Sequence, residues 1–521
     1  MSFKLTYATM FNPPAEMHER FEAAATATRA ALGKTHALYI DGADVPARAT
    51  FVKTTPVDGS ALGRFPSADA AEVEAAVAAA RRAFPAWRAT PIAERVRLMK
   101  KVAALIEERV YLIAAALCLE VGKNRMEGLG EAQEAADFFA SYAQEFERNQ
   151  GYARALPDDP MTDYRSRNRS VLKPHGVWAV IAPFNFPLAL LAGPTAGALV
   201  TGNTVVGKGA TDTPWAGRLL ADCIRDAGVP KGVFNYLTGS GSVAGEALVS
   251  HRDIAGVTFT GSHEVGMRIC RAMLSGSYPR PCIAEMGGKN AAIVTRNADL
   301  DRAVAGIVRS AYGLSGQKCS ACSRVYVEEA VADALIGRLR TEVGKIRVGD
   351  PLVRENWMGP VISPGAAGKF AAYCARLGAD GGRILAGGTR LVGAGYAGDS
   401  YVTPTLAEAP ATHALFAEEM FLPVLMVCRV PDLGTALQLT NDSALGLTAG
   451  MYGNEAEVRR FMDEVETGVA YANRPQGATT GAWPWYQAFG GWKGSGSTGK
   501  AIGSFYYLPQ YLREQSQTVV E

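Results

Sequence analysis

The run Gly316-Gln317-Lys318-Cys319-Ser320-Ala321-Cys322 sets a thiol among small residues and beside a cation. A free thiol titrates near about 8.5, so a nucleophilic cysteine needs help to ionise, and here Lys318 and nearby backbone amides are the groups on offer. The same C-x-x-C spacing serves a redox couple, half of a zinc site, or two small buried residues. Zinc wants two further ligands, and no second cysteine pair or histidine-rich segment supplies them, so no metal is expected. A redox couple suits a thioredoxin-like context, and 521 residues are far more than that needs. Glu285 precedes Met286-Gly287-Gly288-Lys289, where paired glycines let the backbone approach a ligand closely. Its carboxylate can activate water as a general base, or end in a surface salt bridge beside a tight turn. Asn185, in Ala182-Pro183-Phe184-Asn185-Phe186-Pro187, follows a β-like run, where α/β enzymes bind ligands. Its amide can donate to a developing oxyanion, or shape a turn between prolines. The stretch Phe259-Thr260-Gly261-Ser262 to Gly266 runs from strand into helix and offers free amides to a phosphate, without the G-x-G-x-x-G fingerprint. Lys208, just past another strand, can reach a ribose or phosphate.

Those side chains need a frame that gathers distant segments. Short β-like runs at Val177 to Ala182, Thr204 to Val206, Phe234 to Leu237, Val257 to Phe259 and Ala291 to Val294 alternate with helix-like stretches, notably Trp215 to Ala227 and Gly241 to Ser250. The alternation predicts an α/β chain with a parallel sheet. It resumes past Cys319 with Val325 to Val327 and a helix over Val331 to Ile346, which predicts a second α/β domain. Upstream, His36 to Pro46 reads as a hairpin, and Ser67-Ala68-Asp69 leads into a helix with Val73, Val77, Ala80 and Phe84 at helical spacing. Further helical segments are predicted over Ile92 to Val121 and Met126 to Glu147. The polar stretch Gly151 to Asn168, with Pro157 and Pro160, reads as a protruding connection.

At 521 residues the chain is too long for one core, so two or three domains are expected. Lysine and arginine number 53 against 51 acidic residues, and a net charge of +2 gives no electrostatic reason to expect nucleic acid or an anionic membrane as partner. The first thirty residues show no secretory pattern, and no apolar run reaches membrane-spanning length. The eight cysteines are scattered apart from Cys319 and Cys322, which is no disulfide framework and points to a reducing cytoplasm.

Taken in order, Phe184-Asn185-Phe186-Pro187, Lys208, Phe259 to Ser262, Glu285-Met286-Gly287-Gly288-Lys289, Gly316 to Cys319, Glu418-Glu419-Met420-Phe421 and Gly490 to Gly496 form a series that resembles the aldehyde dehydrogenase superfamily. The likeness runs from about His36 to the end, and the 34-residue step from Glu285 to Cys319 also looks like the family's. It implies Cys319 as nucleophile, Asn185 and the Cys319 amide as oxyanion donors, and Glu285 as the base that releases the acid. It implies cofactor contacts from Lys208 and Glu419 to ribose, from Gly261 and Ser262 to pyrophosphate, and from Phe421 near the nicotinamide. Many NAD-preferring relatives carry an acid three residues past the lysine; Thr211 stands there, so NAD is expected and NADP left open.

Gly316 to Arg324, Lys123-Asn124-Arg125-Met126-Glu127 with Glu131, and Thr479-Thr480-Gly481-Ala482 resemble one branch, the pyrroline-5-carboxylate (L-glutamate γ-semialdehyde) dehydrogenases. That likeness implies a substrate carboxylate held by Ser320 and the amides of Gly481 and Ala482, with Phe186 and Phe489 flanking the aliphatic part. The aromatic turn Trp483-Pro484-Trp485-Tyr486 is unusual for the branch and keeps another semialdehyde or a bulkier aldehyde as the alternative. A coenzyme A-acylating relative does not need Glu285, and a non-catalytic relic does not need Cys319, Asn185 and Glu285 together. The implied fold is α/β and aldehyde dehydrogenase-like. A Rossmann-like NAD(P)-binding domain spans 1–150 and 172–286, and a catalytic domain spans 287–496. A small β oligomerisation flap combines 151–171 with 497–521. The flap implies a homodimer or larger homo-oligomer, and the tail residues Tyr506, Tyr507, Tyr511 and Leu512 read as apolar surface in need of a partner.

Overall fold

The computed structural model describes residues 13–478, 484 and 486–521. Two seven-stranded sheets carry the chain. The first runs, in spatial order, Cys282–Glu285, Ile254–Thr260, Val177–Ile181, Thr204–Lys208, Phe234–Leu237, then the hairpin Leu38–Ile40 and Ala43–Val45. Its first five strands are mutually parallel and the hairpin joins antiparallel through Tyr236 and Tyr39. The middle strands are buried on both faces, which is why they read as largely apolar runs and why their polar members, such as Asn235, are buried too.

Chain order reverses between Val177–Ile181 and Ile254–Thr260: from Val177–Ile181 the sheet first grows one way to Phe234–Leu237, then Ile254–Thr260 pairs on its other side. Ligands of open α/β sheets bind outside the carboxyl ends of the strands at such a reversal. Asn185, Lys208, Gly261 and Ser262 all follow or end strands on that side.

The second sheet runs Arg383–Ala386, Thr405–Glu408, Val424–Val430, Cys322–Glu328, Asn290–Val294, Thr448–Tyr452 and Val469–Ala472, parallel except for its first member. Only Met286 to Lys289 separate the last strand of the first sheet from the first strand of the second. The carboxyl end of one sheet therefore faces the amino ends of the other, where Cys319 and Glu419 precede Cys322–Glu328 and Val424–Val430.

A third sheet pairs Leu512–Val520 with Ser166–Pro174 over nine residue pairs and adds Ala153–Leu156 beyond it, all antiparallel. The tail corrects one expectation. Tyr507, Leu508, Tyr511 and Leu512 pack into the core beneath the first sheet, while Phe505, Tyr506, Val519 and Val520 remain exposed. Their polar ends find partners inside: the Tyr511 hydroxyl pairs with Thr258 Oγ1 at 3.1 Å and donates to the Tyr507 hydroxyl at 2.9 Å. The stretch Ile92 to Val121 is two helices, Ile92–Glu108 and Val110–Val121, broken at Arg109, whose guanidinium turns to Asp226. Among the described residues no helix is long and apolar enough to cross a membrane.

Two fully buried glutamates tie the helical layer to the first sheet. Glu120 accepts from the amides of Trp215 and Ala216 at the start of the Pro214–Asp226 helix. Glu131 accepts from Leu188 and Ala189 at the start of the Ala189–Val200 helix and forms an ion pair with Lys123 at 3.1 Å, both side chains 0% exposed. Burial raises the Glu131 carboxyl, and Lys123 and the two amides pull it back toward ionisation. Glu131→Ala leaves a buried cation and two helix-end amides unpaired. Urea denaturation is expected to show a loss of about 3–5 kcal/mol; a loss below about 1 kcal/mol would mean that the pair is not an ion pair in solution.

Candidate active site

Cys319 ends a tight, buried turn. Leu314 and Ser315 take left-handed φ values of 52° and 53°, and Gly316 follows at 67°. A Cβ on Gly316 would lie 2.4 Å from the Leu422 carbonyl oxygen, so only glycine fits. Such strain persists where the surroundings over-determine it. Glu127 caps its own helix with Asn124, and its second oxygen accepts from Leu314 N at 2.7 Å. Ser315 Oγ donates to Gly359 O at 2.8 Å, and the Gln317 side-chain oxygen accepts from Ile362 N at 2.9 Å.

Past the turn, Asn290 fixes the loop that carries Cys319. Its amide donates to the Cys319 carbonyl at 2.6 Å and the Ala321 carbonyl at 2.9 Å, while its oxygen accepts from Thr448 N at 2.9 Å. The motif reading passed over Asn290. The available signal was an asparagine heading the apolar strand Ala291 to Val294, because a polar side chain in a buried strand must find partners.

Cys319 stays partly exposed and packs against the apolar cluster that contains Phe186 and Phe489. Burial pushes its thiol up to about 12, with Glu419 and Glu285 adding repulsion. The contribution expected of Lys318 is absent. Its ammonium turns to Glu127 at 3.4 Å, because a buried cation takes the nearest carboxylate. Cys322 is buried in the core of the second sheet and its Sγ lies 3.5 Å from the Arg324 carbonyl.

Glu285 is the last residue of its strand and is held on several sides. Its carbonyl accepts from Gly261 N at 3.1 Å, and its carboxylate accepts from Gly491 N at 3.2 Å. Burial raises the carboxyl to about 8, so near neutrality it exchanges a proton readily. Glu285 lies within electrostatic influence of Cys319 and raises its thiol, while its own hydrogen-bond partners are the amides of Gly261 and Gly491. Asn185 is buried just past Val177–Ile181, on the same side of the first sheet.

The residues between the sheets continue the site. Gly288 N donates to Glu419 Oε1 at 2.8 Å. A Cβ on Gly287 would lie 2.0 Å from Glu419 Oε2, so glycine there is a condition for the carboxylate's position. Burial raises the Glu419 carboxyl. Phe421, at φ 56°, meets Phe184 edge-on at 5.7 Å, which joins the loop before Val424–Val430 to the loop that carries Asn185.

Two helix amino ends open at the sheet reversal. Ser262 caps the His263–Leu274 helix through Val265 N, and Ser240 caps the turn at Gly241–Gly245. Lys208 lies buried between strand and turn, its ammonium donating to the Gly209 carbonyl at 3.1 Å, with burial lowering it to about 8. An ammonium carries three donors, and the free amide ends beside it suit an anionic, hydroxyl-rich ligand such as a dinucleotide. Thr211 is exposed and donates to Gly239 O at 3.1 Å, with no carboxylate in its place.

Ser320 is buried next to Cys319, and Phe186 and Phe489 are buried in the cluster beside it. Lys123 lies 3.5 Å above the centre of the Phe186 ring, a cation–π contact inside the core. A cavity of about 500 Å³ opens against Phe186 and Lys318 with Glu134 and Arg309 in its wall; Cys319 does not line it. Gly481 and Ala482 lie outside the described residues, as do Thr479, Thr480, Trp483 and Trp485.

Residues 45–516 match the model of the aldehyde dehydrogenase family. A protein named 1-pyrroline-5-carboxylate dehydrogenase from Geobacillus thermodenitrificans is 35% identical over 512 residues, 96% of each chain. One named 1-pyrroline-5-carboxylate dehydrogenase 2 from Bacillus subtilis is 36% identical over 511 residues, again 96% of each. The crystal structure described as 1-pyrroline-5-carboxylate dehydrogenase from Thermus with bound NAD superposes with a TM-score of 0.93 at 34% identity, covering 100% of both chains.

Proposed function

The chain belongs to the aldehyde dehydrogenase family, and from that membership we propose that it oxidises L-glutamate γ-semialdehyde, the hydrolysed form of 1-pyrroline-5-carboxylate, to L-glutamate with NAD. The observation that carries this reading is the seam between the two sheets. There Cys319 sits on a loop pinned by Asn290, within electrostatic reach of Glu285 and Glu419. The relatives named for this substrate span nearly the whole chain.

The thiol of Cys319 gives up its proton to solvent, and the thiolate attacks the aldehyde carbon as the C=O π pair moves onto oxygen. The amide of Asn185 and the backbone N–H of Cys319 donate to the oxyanion. A bound nicotinamide supplies the acceptor for the hydride lost from that carbon. The resulting thioester is cleaved when Glu285 takes a proton from water and the hydroxide adds to the carbonyl. Collapse expels the Cys319 sulfur as thiolate and frees the carboxylic acid, which passes its proton to solvent to become the carboxylate. The cofactor would be held by Lys208 and Glu419 at its riboses and by Gly261 and Ser262 at its pyrophosphate, with Phe421 toward its nicotinamide. The substrate carboxylate rests on Ser320 and the amides of Gly481 and Ala482, with Phe186 and Phe489 along its chain. In domain terms the first sheet binds the cofactor, the second carries the nucleophile, and the third joins two copies into a homodimer. All eight cysteines are free thiols, which supports a cytoplasmic location.

The test is NADH formation with glutamate semialdehyde beside a panel of aliphatic and aromatic aldehydes. Preference for the semialdehyde is expected; turnover confined to other aldehydes would keep the chemistry and overturn the substrate. Gly287→Ala tests the cofactor assignment separately, because the added methyl displaces the Glu419 carboxylate. KM for NAD is expected to rise about tenfold, the loss of one charged hydrogen bond, with a smaller fall in kcat. An unchanged KM would remove Glu419 from the cofactor site.

A further inference from the structure

Cys270 and Cys282 have no part in the chemistry above, yet their Sγ atoms lie 3.4 Å apart, at hydrogen-bonding distance for thiols. Five of the eight cysteines are buried; these two and Cys319 are the partly exposed ones. Cys270 lies on the His263–Leu274 helix, which begins directly after Ser262. Cys282 opens the strand that ends at Glu285. That strand is the edge of the first sheet, paired within it only to Ile254–Thr260. The two sulfurs thus face each other across the junction between the helix proposed to hold the cofactor pyrophosphate and the strand that carries the proposed base.

We propose that Cys270 and Cys282 form a redox-active dithiol, a modification site that peroxides convert reversibly to an intramolecular disulfide and that couples oxidation to cofactor binding. The hydrogen bond shared by the two sulfurs holds Cys270 below the ordinary thiol range, so Cys270 is the attacking sulfur. The Cys270 thiolate attacks a peroxide oxygen; an S–O bond forms, the O–O bond breaks, and the leaving oxygen departs as water after taking a proton. The Cys282 sulfur then displaces the sulfenic hydroxyl, the S–S bond forms, and a second water leaves with the thiol proton. One hydrogen peroxide is reduced to two waters, and two thiols are oxidised to one disulfide. The sulfurs must close by about 1.3 Å to reach the roughly 2.05 Å of a disulfide. The 3.4 Å gap between them is bridged by moving the helix against the edge strand, and Ser262 moves with the helix.

The experiment uses the full-length Cys319→Ala protein, so that the third accessible thiol does not consume oxidant. It is treated with hydrogen peroxide, digested without reductant, and mapped by mass spectrometry, while NAD affinity is titrated before and after. A linked Cys270–Cys282 peptide two hydrogens lighter than the free pair is expected. NAD binding should weaken roughly fivefold, the lower end of ordinary site-to-site coupling, and recover with dithiothreitol. Cys270→Ser and Cys282→Ser in the same background should show neither change. Two thiols that stay open to alkylation after peroxide would overturn the site. A linked peptide with unaltered NAD affinity would overturn its coupling to the cofactor. The peptide readout needs no cofactor, so it stands apart from the function proposed above.

Discussion

Cys319→Ala is expected to remove aldehyde oxidation altogether, a fall on the order of 10⁴-fold or more in kcat/KM. No neighbouring group can take over the covalent step. Cys322, the next thiol along the chain, is buried in the core of the second sheet. Loss of one sulfur from a partly exposed position costs about 1 kcal/mol or less of stability, so the variant should fold and bind NAD. Stopped-flow NADH absorbance on the folded variant checks both. A burst or steady rate within tenfold of the parent protein would mean that another residue forms the bond to substrate.

Glu285→Gln is expected to separate the two halves of the reaction. Oxidation to the thioester proceeds, so about one NADH per active site appears rapidly. Steady turnover then falls by about 10²–10⁴-fold because nothing takes the proton from water. The pH dependence has a definite sign. The Glu285 carboxyl is raised to about 8 by burial, and only its ionised form serves as base. Steady-state kcat in the parent enzyme should therefore rise with pH through about 8 and level off above it. In the glutamine variant that rise disappears, and mass spectrometry of the quenched protein should find the acyl group on Cys319. A glutamine variant with full turnover and the same pH rise would place the base elsewhere.

Four parallel strands of the first sheet and two central strands of the second, Asn290–Val294 and Cys322–Glu328, were legible as short apolar runs. The edge strand Cys282–Glu285 and the second-sheet strands from Arg383 to Ala472 were not read. Nor was the region around Arg109: Ile92 to Val121 keeps helical periodicity throughout, and the break depends on an arginine reaching Asp226, 117 positions away. The same distance problem hid Glu120 and the partners of Glu131. A glutamate on a helix ordinarily faces water, and their partners are helix ends 57 to 96 positions further along. Within the site, residue type marked Cys319 and Glu285 as candidates, and Glu419 came only with the family resemblance. The role of Lys318 was misjudged because adjacency in sequence does not say which way an ammonium turns. Tyr507 and Tyr511 looked like interface residues because tyrosine suits both a wet surface and a core that satisfies its hydroxyl.

Residues 285 to 290 hold three fates in one strap. Glu285 is tethered to Gly491 and Gly261, Met286 N donates to Ser495 O, Gly288 N holds Glu419, and Asn290 holds the Cys319 loop. A shift of this backbone moves Glu285, Glu419 and the Cys319 loop together, so free energies of substitution along it should not add. A double-mutant cycle between Gly287→Ala and Asn290→Ala is expected to show a coupling of about 0.5–3 kcal/mol, although neither side chain needs to touch the other. For any lineage of this chain, the strap would then have to change as a unit or not at all, while the surface around it drifts one residue at a time.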